Sequence, residues 1–302
     1  MPSTPSLTTT EIATQPECWQ RAAPLAAAEA AKLPKDGERI AVIGCGTSWF
    51  MAQSYAALRE QGGHGETDAF AASEFPFGRG YDRVLAITRS GTTTEVLRAC
   101  ERLSGVVPVT AITADPKTPV MTAADDVVVL DFADEGSVVQ TRFATTALAL
   151  LRAHLGDDLD APAADAGRAV TAELPEGVLT ADQFTFLGTG WTYGLAQEAA
   201  LKMREAAGAW TESYPAMEYR HGPISITGPG RVVWVFGALP DGLADDVASV
   251  GGRLVAGSTT EPGALDPLAD LIRAQRLAVA IAESKGYDPD RPRNLTRSVV
   301  LS

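Results

Sequence analysis

The chain has 302 residues, 45% hydrophobic and 21% charged, the balance of a globular protein with room for one large or two medium domains. Its 25 basic and 38 acidic residues leave a formal charge of −13, which argues against nucleic acid and anionic membrane as partners but is compatible with a small anion held by backbone N–H groups. No apolar run reaches the roughly eighteen residues that a membrane-spanning helix needs. Three widely spaced cysteines (Cys18, Cys45, Cys100) argue against a disulfide framework or a thiolate metal site and point to a cytoplasmic protein.

In chain order, the first fifteen residues are rich in Thr, Ser and Pro, lack the pattern of a signal peptide, and read as a loose arm. An alanine-rich helix is expected over about 16–33, ended by Pro34. The stretch ERIAVIGCGTS then reads as a buried strand, Ile40 to Ile43, running into a glycine turn and a helix from about Trp49 to Glu60. DRVLAITRSGTTTEVLRACERL repeats strand, Ser-Gly turn and helix. VVPVTAITAD and DVVVLDF are further strands, and GSVVQTRFATTALALLRAHLG is a turn followed by a long helix. Strands that are apolar throughout, alternating with helices, predict a parallel sheet covered on both faces.

Residues 156–181 are poor in large apolar side chains and read as a linker with one surface helix. The opening pattern then returns: FTFLGTGWTYGLAQEAALKMRE has the design of IAVIGCGTSWFMAQSYAALRE, with Gly44 and Gly188 at equivalent turns. An internal duplication is expected. RVVWVFG, GRLVAG and PLADLIRAQRLAVAIAESKG supply two more strands and a helix, and the apolar end Val299-Val300-Leu301 is expected to pack on something. The chain divides into an arm and helix (1–35), a first α/β domain (36–155), the linker (156–181) and a second α/β domain with the C-terminal tail (182–302).

Two constellations carry chemistry. The turns GCGTS and RSGTTTE lie where strands run into helices, the edge at which parallel sheets bind ligands. Ser90, Thr92, Thr93 and Thr94 surround Gly91 with more hydroxyls than capping a helix requires, so the turn reads either as a redundantly capped helix or as a cradle for a phosphate ester. GCGTSW lacks the third glycine of a dinucleotide fingerprint, and no Gly-to-Lys nucleotide loop is present. The second constellation is Glu198, Lys202 and Glu205, which share one helix face at i, i+4 and i+7. They form either a surface ion ladder or a site in which Glu205 is a base and Lys202 holds an anionic oxygen, with Arg204 pointing elsewhere. His221 follows in EYRHGP, its backbone fixed by Gly222 and Pro223, with Glu218 one turn before it to orient the ring. His64 and His154 sit in solvent-like settings, and the three histidines form no metal site.

The stretches GCGTS (Gly44–Ser48), RSGTTTE (Arg89–Glu95), EAALKMRE (Glu198–Glu205), EYRHGP (Glu218–Pro223) and DRPRNLTRSV (Asp290–Val299), in this order, resemble the double sugar isomerase (SIS) domain proteins, especially the isomerase half of glucosamine-6-phosphate synthase. The resemblance covers about residues 36–302. It implies two tandem three-layer α/β/α domains with parallel, flavodoxin-like or Rossmann-like sheets. It implies a sugar-phosphate site at Gly46, Thr47, Ser48, Arg89, Ser90, Gly91, Thr92, Thr94 and Thr296. Glu205 matches the base that moves a proton between C1 and C2, Lys202 a lysine near the reacting end, and His221 the ring-opening histidine, which in that family comes from the partner subunit of a homodimer. Two departures bear on the chemistry. Arg89 stands where the synthase has glutamine, adding charge beside the phosphate or an acidic substituent. Arg297 stands where the synthase has its Schiff-base lysine, a reaction closed to an always-protonated guanidinium. No stretch reads as a glutamine-hydrolysing domain, so ammonia transfer from glutamine is not expected.

The expected partner is a hexose or hexosamine 6-phosphate, with no metal or organic cofactor required. A carboxylate that takes the C2 proton of an open aldose phosphate leaves an enediol or enolamine whose O1 a neighbouring Lys202, His221 or Arg297 stabilises. Isomerisation or deamination is the preferred outcome. Elimination of water from an N-acetylhexosamine 6-phosphate and a non-catalytic phosphosugar-sensing module are the alternatives.

Overall fold

The computed structural model describes residues 5–257 and 263–301. Two helices, α1 (Leu7–Ala13) and α2 (Gln15–Ala28), precede the first strand. The segment expected to be a loose arm is thus helical over Leu7–Ala13, with residues 1–4 outside the described part. The Ser6 side chain accepts from Thr9 N at the start of α1, and the Asp290 carboxylate accepts from Leu7 N and Thr8 N at 2.8 and 2.7 Å. An acidic group on the orphan N–H groups of a helix N-terminus is a stabilising arrangement that the arm's composition alone does not signal.

The chain then runs β1 (Ile40–Gly44), α3 (Thr47–Gln61), β2 (Thr67–Ala71), β3 (Arg83–Ile87), α4 (Thr94–Leu103), β4 (Val109–Thr113), α5 (Val120–Ala123), β5 (Asp126–Val129) and α6 (Arg142–His154). The five strands form one parallel sheet in the order β2-β1-β3-β4-β5. Every residue of β1, β3 and β4 is buried, which is why these segments read as continuous apolar runs. Val96, Ala99, Cys100 and Leu103 of α4 pack with Ala41, Ile43, Val84 and Ala86 in one core. Trp19 of α2 is fully buried and donates from Nε1 to Thr145 Oγ1 of α6 at 3.1 Å.

The second half contains α7 (Asp160–Thr171), β6 (Gln183–Gly188), α8 (Thr192–Ala207), β7 (Trp210–Pro215), β8 (Arg231–Phe236), α9 (Leu243–Ser249), β9 (Arg253–Ala256) and α10 (Pro267–Ser284). Its sheet, also parallel, has the order β7-β6-β8-β9. Phe184, Phe186, Trp234 and Phe236 line up with ring centroids 6.2–6.3 Å apart, and Trp234 Nε1 donates to the buried Asp270 of α10 at 2.9 Å. Leu187, Val233 and Val235 pack instead with Leu243 and Val247 of α9 and with Tyr219. Helix α10 opens where its sequence dictates, with Asp266 accepting from Leu268 N and Pro267 in the first turn.

The repeat seen in the sequence has a backbone counterpart. A Cβ on Gly44 would lie 2.7 Å from Ser48 C, and one on Gly188 would lie 2.3 Å from Thr192 O, so each strand end meets the start of its following helix with no room for a side chain. Two residues on, Gly46 and Gly190 take positive φ values of 55° and 57°. Gly188→Ala should therefore cost about 1–3 kcal/mol in the denaturation midpoint, as overpacking against backbone does. Gly167→Ala, on an exposed face of α7 with nothing within 4 Å of the new methyl, should instead add about 0.5–1 kcal/mol.

Two compact units result. One comprises residues 17–136, 140–159 and 296–302 and holds the first sheet. The other comprises 1–16, 137–139 and 160–295 and holds the second. The last seven residues thus group with the first sheet, whereas the sequence reading kept the whole tail with the second domain. Helix α7, placed in the linker by composition, packs on α10 and groups with the second sheet.

Candidate functional site

In the first-sheet unit, β1 and β3 are neighbours at the point where strand order reverses, and their C-terminal ends carry the two Ser/Gly turns. Thr47 and Ser48 are buried at the start of α3. After β3, Thr88 and Arg89 stay in register with β4 through Thr88 N to Ile112 O (3.0 Å) and Ala114 N to Arg89 O (3.1 Å). Gly91 takes φ 61°, and a Cβ there would meet Thr118 Oγ1 at 2.0 Å and Val120 Cγ1 at 2.8 Å, so this turn admits only glycine. Between the turns lies a hollow of about 20 Å³, room for about one water molecule. Ser48, Arg89, Ser90 and Arg297 line it. Thr93, one of the hydroxyls counted in the cradle, lines it too, and so do Cys45, Thr88 and Gln140, which the sequence reading had not assigned to a site. Thr88 lies two residues before Ser90 and was within reach of the Ser-Gly signal. Gln140 lies in the loop before α6 and gave none, although its Oε1 is buried without a hydrogen-bond partner among the described residues. Burial pushes the Cys45 thiol up to about 11, so that wall is a protonated thiol at neutral pH.

Thr92 and Thr94 bind the tail. Thr92 Oγ1 donates to Ser298 Oγ at 2.9 Å, Thr94 N to Val299 O at 3.1 Å, and Leu301 N to Thr94 Oγ1 at 2.8 Å. Arg89 Nη2 donates to Arg297 O at 3.0 Å. Val299, Val300 and Leu301 are nonetheless half or more exposed, so the tail is held by its backbone and its polar side chains and not by its apolar ones as expected. Gly46 precedes α3 at positive φ, and Thr296 Oγ1 donates to Ser298 O at 2.9 Å.

The two departures from the synthase pattern are both tied down. Arg89 is 1% exposed and lies 3.6 Å from the fully buried Glu135, so its charge meets a carboxylate of the chain itself. This differs from the expectation of a cation offered to substrate. Arg297 pairs with Asp134 at 2.5 Å and donates to the carbonyl of Glu135.

In the second-sheet unit, α8 brings Glu198, Lys202 and Glu205 together, and not as a surface ladder. The Lys202 side chain is 1% exposed, with Nζ 3.5 Å from Glu198 Oε1 and 2.5 Å from Glu205 Oε2. Glu205 is 19% exposed, and no hydrogen bond from the described residues reaches its Oε1. Gly208 ends α8 in the left-handed conformation, and the chain turns away to open a pocket of about 510 Å³ lined by Glu205, Tyr287 and several arginines. Arg204, expected to point elsewhere, lines the same pocket and donates to Thr211 Oγ1 at 3.0 Å.

His221 ends a short helical turn, Glu218–His221. Tyr219 is buried against Thr227 and Arg220 pairs with Asp246 at 2.7 Å, which anchors the turn and leaves His221 exposed. The structure does not bring Glu218 to it by a hydrogen bond. His154 is not solvent-like: it is half-buried at the end of α6, and burial holds its ring below the usual histidine range. His64 Nδ1 donates to the Asp36 carboxylate at 2.7 Å. Among the described residues no three His, Cys, Asp or Glu side chains gather as a metal site, and no helix is long and apolar enough to cross a membrane. The residues that the sequence assigned to one site are thus divided between two units, Glu205, Lys202 and His221 in one and the hydroxyl turns and Arg297 in the other.

No family model matches the chain. It is 27% identical over 299 residues to a glutamine–fructose-6-phosphate aminotransferase (isomerizing) of Sulfurisphaera tokodaii, covering 88% of this chain and 51% of that protein, and 28% identical to the enzyme of the same name from Gloeobacter violaceus over 88% and 52%. The chain spans about half the length of the curated relatives it matches. Among solved structures it is similar to a glucosamine-6-phosphate deaminase from Thermotoga maritima (25% identity, TM-score 0.78, 98% of this chain and 100% of that one). It shares its fold with the C-terminal domain of a glucosamine-fructose-6-phosphate aminotransferase from Francisella tularensis (21%, TM-score 0.82, 96% and 99%) and a tagatose-6-phosphate ketose/aldose isomerase from Escherichia coli (20%, TM-score 0.80, 100% and 98%). The two parallel sheets and these similarities over nearly the whole chain make it resemble the C-terminal domain of the aminotransferases and give it the fold shared by that domain and the sugar-phosphate deaminase and isomerase structures.

Proposed function

We propose that this protein is an amino-sugar 6-phosphate isomerase or deaminase in which Glu205 removes the C2 proton of an open-chain aldose phosphate. The observation that carries the reading is the carboxylate itself: Glu205 lines a large pocket and is steered through one oxygen by a fully buried lysine, while its other oxygen accepts no hydrogen bond from the described residues. A base needs that combination of fixed direction and an open lone pair. In this reading His221 passes a proton to the ring oxygen to open the sugar. Its exposed position, clear of Glu218, suits a group offered to a second copy in a homodimer. Glu205 then takes the C2 proton, and the Lys202 ammonium stabilises the charge that develops at O1. Return of the proton to C1 gives the ketose from a hydroxy sugar. From a 2-amino sugar it gives a ketimine, which water splits to the ketose and ammonia. The similarity to a glucosamine-6-phosphate deaminase supports the second course.

Ser48, Thr88, Ser90 and Thr93 are the proposed phosphate ligands. Because the hollow as it stands holds about one water, phosphate entry requires the tail at Arg297–Leu301 to shift. Arg297 has no nucleophilic amine, and its guanidinium is tied to Asp134 and Glu135, so the proposed reaction does without a tail Schiff base.

The test is proton exchange. In deuterated water the full chain should place deuterium at the reacting carbons of glucosamine 6-phosphate and release ammonia, followed by proton NMR and an ammonia assay. Failure to exchange any hexosamine or hexose 6-phosphate would sink the enzymatic reading and leave a phosphosugar-binding role.

A further inference from the structure

The pocket beside Glu205 holds more positive charge than the chain itself neutralises. Arg204, Arg291 and Arg293 line it, together with Asp288 and Asn294. The two carboxylates at its wall offset only part of that charge: Glu205 shares Lys202 Nζ (2.5 Å) with Glu198 (3.5 Å), and Asp288 Oδ1 accepts from Asp290 N at 2.9 Å, so three guanidiniums face two carboxylates. Among the described residues none of the three guanidiniums forms an ion pair. Arg204 uses one nitrogen on Thr211 Oγ1, Arg293 lies over the Tyr287 ring with its central carbon 4.6 Å from the centroid, and the Arg291 side chain makes no hydrogen bond. In a protein with a net charge of −13, three unpaired arginines on one pocket are a local reversal of sign. The loop that presents two of them is fixed by Asn294 at φ 63°, the sole described residue other than glycine with positive φ. A guanidinium offers a planar fork of donors that matches an oxyanion in two-point contact.

We infer that this pocket binds an oxyanion of the substrate, either a carboxylate carried on the C2 nitrogen or the sugar's own phosphate. The inference rests on the proposed function, since it is Glu205 acting at C2 that brings whatever C2 carries against this wall. The charge that the sequence reading gave to Arg89 for an acidic substituent is spent on Glu135, and these arginines are the ones left to meet it.

Two unreactive probes separate the possibilities: 2-amino-2-deoxyglucitol 6-phosphate and its N-carboxymethyl derivative. Each is titrated calorimetrically against the full wild-type chain and the R291A/R293A variant, both substitutions being at exposed positions. The expected result is that the carboxymethyl probe binds wild type at least tenfold more tightly than its parent and loses that advantage in the variant, while the parent is unchanged. If the variant weakens both probes equally by tenfold or more, the site holds, with the phosphate as its anion. If both probes bind wild type and variant alike, the anion site is overturned while the phosphosugar reading stands. If neither probe binds wild type, that reading fails, and malonate alone decides the pocket. Protection of wild type, but not of the variant, against thermal unfolding supports it, and equal responses overturn it.

Discussion

Glu205→Gln should lower the rate of deuterium incorporation into glucosamine 6-phosphate by about 10²–10⁴-fold, the span that a positioned general base contributes, with substrate affinity within a fewfold of wild type. The substitution is chosen for what it leaves in place. A glutamine has the length and shape of glutamate, and its carbonyl oxygen still accepts from Lys202 Nζ, which keeps the side chain aimed as the native 2.5 Å contact aims it. Lys202 also retains Glu198 at 3.5 Å, so the helix keeps a carboxylate for its buried cation. What the amide lacks is an oxygen able to take a proton from carbon. Exchange measured by NMR and affinity measured by calorimetry on the same sample therefore separate chemistry from binding. An exchange rate within tenfold of wild type, at unchanged affinity, would place the base elsewhere and remove the central element of the proposed mechanism.

What the sequence revealed and what it hid follow one physical line. Strands β1, β3, β4, β6 and β8 are central, buried on both faces, and stand out as apolar runs. The two strands that escaped notice are β2 and β7, TDAFA and WTESYP, which are the same edge position in the two sheets. An edge strand is half-exposed and needs no apolar run, and these two lack one where the opposite edges β5 (DVVV) and β9 (RLVA) keep a short one, so composition is silent about them although topology requires them. The glycines were legible because close backbone approach permits nothing else, as at Gly44 and Gly188. Site residues divided similarly. Side chains on a regular helix, such as Glu198, Lys202 and Glu205, were readable from spacing, but spacing alone did not say whether their face was solvent or core. Partnerships across loops were invisible: Arg89 with Glu135, Arg297 with Asp134, and Gln140 on the hollow join segments far apart in the chain. The arginines at the Glu205 pocket belong to the same class, since Arg204 and Arg291 become neighbours of one cavity only once the chain has folded.

The same buried helix face makes Lys202→Met the substitution with the largest expected cost in stability. The lysine stem is buried, and methionine replaces its volume closely, so the change removes charge with little loss of packing. It takes the cation from between two carboxylates, one of them 1% exposed. Breaking a buried ion pair from one side is expensive because the remaining charge has neither water nor counterion, and a loss on the order of 3–5 kcal/mol is expected in urea denaturation of the full chain. Removing the buried carboxylate as well separates this cause from mere misfit. The Glu198→Gln/Lys202→Met double variant should recover most of the loss, because a neutral pair carries no such desolvation cost. If Lys202→Met costs less than about 1 kcal/mol, the ammonium is no structural counterion for α8, and its role rests on the developing charge at O1 alone. If the double variant is as unstable as the single one, the lysine stabilises α8 through packing, and the electrostatic account of how Glu205 is held upright fails with it.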